Sequence, residues 1–143
     1  NNGKYIDSKS LLHPLNDLKN SCQSNFNDNK IIHMLIENYL IDDKNYFTLP
    51  KNLKCNFFSL EVNFICISNN FVNNLESVLK KYHILVNQIL SASYIEKFID
   101  KSNQNIFITA SRIKSGWNEN EVSLVRKNYK NKGFFEKFFD FFN

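Results

Sequence analysis

The sequence predicts an α+β fold. The expected unit runs helix, strand, strand, helix, strand, with two helices covering a three-stranded sheet, and an amphipathic helix follows at the C-terminus. Two stretches, 11–22 and 71–82, carry apolar residues at helical spacing. Three others, 31–41, 60–67 and 84–90, are rich in β-branched or aromatic residues and read as strands. Two helices laid on one face of such a sheet bury both stripes.

Each element has its own signal. Leu11, Leu12, Leu15, Leu18 and Cys22 form one helical stripe. Ser10 can cap it, Pro14 then falls in the first turn, and the helix should end near Gln23. Residues 31–41 follow as a strand, Asp42 to Asn45 as a turn, and 46–58 as a loop or short irregular hairpin around Pro50. In 60–67 the first half alternates, while the second is apolar on both sides, as for a strand with both faces covered. Ser68 or Asn69 caps the clearest helix, whose stripe is Phe71, Val72, Leu75, Val78, Leu79 and Tyr82. Glu76 and Lys80 make a favourable surface pair on it. Residues 84–90 read as the third strand and 93–100 as a short helix. The stretch 106–113 is ambiguous: its β-branched residues suit a strand, yet Phe107, Ala110, Ile113 and Trp117 recur at roughly helical spacing.

Length allows one domain with a core plus a tail. A net charge of +4, spread out except near the C-terminus and joined to no recognition motif, gives no argument for nucleic acid. Cys22, Cys55 and Cys66 are odd in number and contain no CxxC pair, so neither a disulfide framework nor a zinc site is suggested. A reducing cytoplasm is the simplest compartment. There is no signal-peptide pattern and no transmembrane run. The sequence starts at Asn1 rather than Met, which points to a fragment or a trimmed product.

Catalytic patterns are lacking. Gly3, Gly116 and Gly133 stand alone, so no phosphate loop or dinucleotide fingerprint can be drawn. His13, His33 and His83 lie far apart and read as structural residues. Ser91 and Ser93 lack a nucleophile elbow. Asp42 and Asp43 suit a turn, and Trp117 beside Gly116 suits a packing anchor. Neither an enzyme nor a bound metal or cofactor is expected.

The last eleven residues are the most distinctive. Phe134, Phe135, Phe138, Phe139, Phe141 and Phe142 would fall within roughly 160° of a helical wheel. Lys130, Lys132 and Lys137 flank or interrupt them, and 126–143 holds five basic residues against two acidic ones. Such a face can enter a membrane surface, its own core or a partner groove. Its terminal position, its use of Phe alone and the polar basic stretch before it favour an anionic membrane surface. These nine residues are the expected membrane-binding set. The face is too short to span a bilayer.

Several segments resemble the FtsA family of bacterial actin-like cell-division proteins. Residues 30–42, Lys-Ile-Ile-His-Met-Leu-Ile-Glu-Asn-Tyr-Leu-Ile-Asp, are similar to the strand that opens that family's inserted SHS2 subdomain. Residues 60–65 resemble its next strand, 71–82 its helix and 83–90 the strand after it. Ala92-Ser93-Tyr94 resembles the Ala-Pro-Tyr found there, and 4–24 the preceding segment and helix. Phe107-Ile108-Thr109-Ala110 resembles the opening of the last actin-core helix, which favours a helix at 106–113. Ile36 and Ser93 stand where the family has Pro, and Asp43 where it has Gly. No Asp-Gly-Gly-Thr signature lies between Asp100 and Asn105, where the family carries its actin core. ATP, expected of full-length members, is therefore not expected here.

The resemblance implies an SHS2-like domain at 1–100, a core-helix remnant at 101–117, a basic polar tether at 118–132 and a membrane-targeting helix at 133–143. It also implies a non-enzymatic adaptor in septum assembly. Such an adaptor sits peripherally on the cytoplasmic face of the inner membrane at the division site. Its partners would be other FtsA-like molecules and downstream divisome proteins. The polymer-forming FtsZ binds mainly the core missing from this chain, so that contact is left open. A PilM-like adaptor of pilus assembly and a soluble interaction domain with a docked Phe helix are the alternatives.

Overall fold

A computed structural model of the chain describes residues 3–6, 8–99 and 105–122. In order the elements are β1 (Lys4–Tyr5), α1 (Ser8–Asn25), β2 (Asn29–Ile41), β3 (Lys44–Tyr46) and β4 (Lys54–Cys55). They continue with β5 (Phe58–Ser68), α2 (Asn69–Lys80), α3 (Ala92–Glu96) and α4 (Ile106–Lys114). The fold is α+β. Its three-stranded antiparallel sheet has the order β3-β2-β5, and β1 pairs with β4 in a small separate sheet.

Strand β2 is central and covered on both faces. Leu11 and Leu15 of α1 pack on Met34, Ile36, Tyr39 and Ile41 from one side. Tyr94 and Ile95 of α3 and Ile113 of α4 pack on Leu35 from the other. This differs from the expectation that both helical stripes share one face and that the later strand is the doubly covered one. On β5, the far-end residues Cys66 and Ser68 are exposed.

Two β-bulges explain how β2 serves both faces. Register shifts fall between Ile31 and His33 and between Ile36 and Asn38. Side chains alternate along a strand, and each extra residue reverses that parity. Ile31, Met34, Ile36, Tyr39 and Ile41 therefore all face α1. They stand opposite Cys66, Phe64, Val62, Leu60 and Phe58 respectively. Strand β2 has 13 residues where β5 has 11, so the two bulges absorb the difference.

The β2–β3 turn uses two aspartates. Asp42 and Asp43 have φ values of 44° and 63°, the left-handed pair that a tight hairpin needs and that Gly or Asn usually supplies. The Asp42 carboxylate accepts hydrogen bonds from the backbone N–H groups of Asn56 (3.0 Å) and Phe57 (2.8 Å). It thus ties the hairpin to the entry of β5.

The expected third strand at 84–90 does not form one. Alongside β2, β5 holds one edge, and β3 with residues 120–122 holds the other. The third position in the sheet is filled by the Asp42–Asp43 hairpin instead. His83, at φ 59°, turns the chain out of α2, and 84–90 then runs to α3 without joining a ladder. Helix α1 begins at Ser8 rather than after Ser10, so Pro14 lies inside it. The ambiguous stretch 106–113 is helical. Residues 118–122, expected to open the tether, are part of the domain: Glu121 bridges Leu35, and Val122 is 1% exposed in the α1-side core. The expected helix at 133–143 and the rest of the tether lie outside the described residues.

The hairpin yields a contrast at neighbouring positions. Asp43→Gly should stabilise the fold by up to about 1 kcal/mol, because Gly adopts positive φ without a Cβ penalty. Asp42→Ala should destabilise it by about 1–2 kcal/mol through the lost acceptors. Urea unfolding of both variants measures the difference.

Candidate functional site

The chemically richest part of the described structure is a polar cluster on the α3–α4 side of β2. It begins with His33, which is 1% exposed on the central strand. The backbone N–H of Ser91 donates to His33 Nε2 at 3.0 Å. An N–H can only donate, so Nε2 is the acceptor and the ring proton sits on Nδ1. Nδ1 in turn donates to Glu121 Oε1 at 2.7 Å. The other carboxylate oxygen, Oε2, accepts from the Tyr94 hydroxyl at 2.9 Å, and Asn118 Nδ2 donates to that same hydroxyl at 2.8 Å.

Local structure sets each member in place. Ser91 caps α3, its Oγ accepting from the Tyr94 N–H, which fixes the turn that brings Tyr94 over the sheet. Gly116, at φ 80°, ends α4 and turns the chain back toward β2. Residues 120–122 then pair with β2 through Ile36 N–H to Asn120 O and Val122 N–H to Met34 O. Glu121 is carried by that pairing and faces His33.

A Glu–His pair beside two serines invites comparison with a hydrolytic triad. The geometry does not provide one. The nitrogen that would have to take a serine proton is filled by a backbone N–H. Ser91 Oγ is engaged by Tyr94 N–H and by Ser93 Oγ at 2.9 Å. These groups instead clip two separate chain segments, 91–94 and 118–121, to the central strand. His33 is buried with both ring nitrogens engaged, the place of a hydrogen-bonded structural residue. His13 and His83 are exposed and lie outside the cluster.

From His33 an aromatic series leads outward. His33 and Tyr94 are tilted at 4.5 Å, Tyr94 and Phe98 meet edge-on at 5.1 Å, and Phe98 and Trp117 at 5.5 Å. The Arg112 guanidinium lies 4.2 Å from the Trp117 ring centroid. Trp117 thus packs on one side, as expected of an anchor, and remains half exposed on the other.

A second feature is an apolar surface. Helix α2 buries Val72 but leaves Phe71 and Val78 exposed, and Tyr82, Ile84 and Leu85 (79% exposed), in the chain just after it, are exposed too. The six phenylalanines and three lysines expected to bind membrane lie outside the described residues. Among the described residues no group of His, Cys, Asp or Glu could hold a metal ion, and no helix is long and apolar enough to cross a membrane. No protein-family model, curated protein or solved structure matches this chain.

Glu121, Tyr94 and Asn118 carry no local sequence pattern that marks them as members of a site. Their partner is far away in sequence, and no local pattern signals the contact. The one hint was a histidine in an otherwise apolar strand, which must find a partner when buried.

Glu121 is the acceptor for two buried donors. Glu121→Ala should lower stability by about 3 kcal/mol, since both donors lose their partner. Glu121→Gln, which keeps one acceptor, should cost about half as much, and urea denaturation at neutral pH reads both. Burial, aided by Glu119, holds the Tyr39 hydroxyl well above its ordinary 10.0. Burial likewise raises Tyr94, with Glu121 adding to the shift and Asn118 opposing it. The folded chain therefore keeps protons that the unfolded chain gives up. Stability should be full below about pH 10 and fall as pH rises further. Tyr39→Phe should flatten that alkaline decline in a series of melting curves.

Proposed function

We propose that this chain is a non-enzymatic adaptor of the FtsA-like, SHS2-like type, which binds protein through its α+β domain and an anionic membrane surface through its C-terminal Phe-rich segment. The observation that carries the reading is the C-terminal run itself. Six phenylalanines fall at one-face helical spacing beside a basic stretch. The resemblance of 30–42, 60–65 and 71–90 to the inserted subdomain of the division proteins supports the adaptor role and septum assembly. The α+β class and the open apolar surface around α2 are consistent with a binding module. The departure at 84–90, where the family has a paired strand, is a real difference.

Magnitudes shape the mechanism. Partial burial of each Phe contributes on the order of 1–2 kcal/mol. Ordering the segment costs roughly 1 kcal/mol per residue. The surplus for one tail is small, so a single copy holds weakly and several clustered copies hold firmly through avidity. An adaptor of this kind is on the membrane when assembled and off it when dispersed.

A second reading has its own support. The exposed Phe71, Val78, Tyr82, Ile84 and Leu85 form an apolar surface on which a Phe-rich helix of the same chain could dock. Proteolytic trimming separates the two: a docked helix resists cleavage and its loss lowers Tm, whereas a lipid-seeking tail is cut without effect on Tm.

Under the membrane reading, Phe138→Glu releases the protein from anionic vesicles and leaves domain stability unchanged. Co-sedimentation with phosphatidylglycerol vesicles measures this, and unchanged binding contradicts the reading. High salt should weaken binding through the basic flank and leave the contribution of the Phe face.

A further inference from the structure

Cys22 and Cys66 are far apart in sequence, and the structure brings them together. On α1, Cys22 continues the buried stripe of Leu11 and Leu15 by two further turns. On β5, Cys66 continues the row Phe58, Leu60, Val62 and Phe64, the row that faces α1. The bulge at Ile31/His33 matters here, because it sets Ile31 opposite Cys66 on that same face.

Both residues lie at the end of the sheet where α1 turns into β2. That end is fastened by Asn69 N–H to Asp28 O at 2.9 Å and by Asn69 Nδ2 to Asn27 O at 2.8 Å. The Cys22 sulfur lies near enough to Cys66 to perturb its thiol. Cys22 is half-buried and Cys66 is exposed. Cys55 pairs with Lys4 in the β1–β4 sheet, at a different place in the fold.

We propose that Cys22 and Cys66 form a reversible intrachain disulfide when the protein meets a low-molecular-weight disulfide such as oxidised glutathione. Exposed Cys66 reacts first. It loses its proton, its thiolate attacks one sulfur of the small disulfide, and one small thiolate leaves. Cys22, deprotonated in turn, attacks the Cys66 sulfur of the mixed disulfide and expels the second thiolate. The protein gives up two electrons and two protons, and the small disulfide becomes two thiols. The product joins the last turns of α1 to the edge strand β5 and encloses the whole β2–β3–β4 segment.

Burial and the neighbouring Cys22 sulfur push the Cys66 thiol up from its ordinary value, so closure quickens as pH rises through the alkaline range. A thiol pair of this kind, silent in a reducing compartment and closed under oxidative load, suits a transient regulatory bond.

The test uses the native protein with oxidised glutathione and no denaturant. After alkylation, peptide mapping by mass spectrometry should show a Cys22–Cys66 cross-link in monomeric protein, with Cys55 alkylated. The oxidised form should melt about 5–10 °C above the reduced form. Cys55→Ser should still close. Cys22→Ser should stop at a stable glutathione adduct on Cys66. A persistent adduct on Cys66 in the unsubstituted protein overturns the proposal. So does an interchain dimer, a link through Cys55, or three unreacted thiols.

Discussion

Strand β2 is the constraint on which the rest of the domain depends. It is covered on both faces, and its two bulges decide which side chains go where. Without them Met34 and Ile36 could not share a face with Ile31, Tyr39 and Ile41, and the α1-side core would lose about half of its strand contribution. With them one strand feeds two cores of different character. The α1 side is almost wholly apolar, and the α3–α4 side holds a polar cluster within an apolar frame.

That polar cluster gives the domain its closure. Residues 91 and 118–122 come from separate parts of the chain, and each reaches β2 through a hydrogen bond that names its partner. A buried imidazole with both nitrogens engaged is costly to disturb and leaves little freedom for chemistry. Backbone pairing carries residues 120–122 along β2. Val122, the last described residue, is fixed in the core beside β2.

Much of the fold was legible because apolar periodicity is a local signal. Leu11, Leu15 and Cys22 marked α1, and Val72, Leu75 and Leu79 marked α2. The apolar run at 31–41 marked a strand, although only the structure shows that it is the doubly covered one. Bulges were hidden because they depend on the partner strand: nothing in Ile31 to Asn38 alone announces a shifted register. Residues 84–90 misled for the complementary reason. Their β-branched composition suits a strand, but the places beside β2 were already filled by a hairpin whose Asp42-Asp43 turn substitutes for the usual Gly or Asn. The polar cluster and the meeting of Cys22 with Cys66 were invisible because both are contacts between distant segments. The ambiguity at 106–113 resolved toward helix, with Asn105 capping it through its side chain.

We propose a firmly closed domain joined to a segment that seeks lipid. Hydrogen exchange on the intact protein, with and without anionic vesicles, tests it most directly. The account predicts that vesicles slow exchange in residues 133–143 and leave 29–41 and 58–68 unchanged. Equal exchange of the C-terminal residues in both samples would contradict it, as would protection of those residues already present without vesicles.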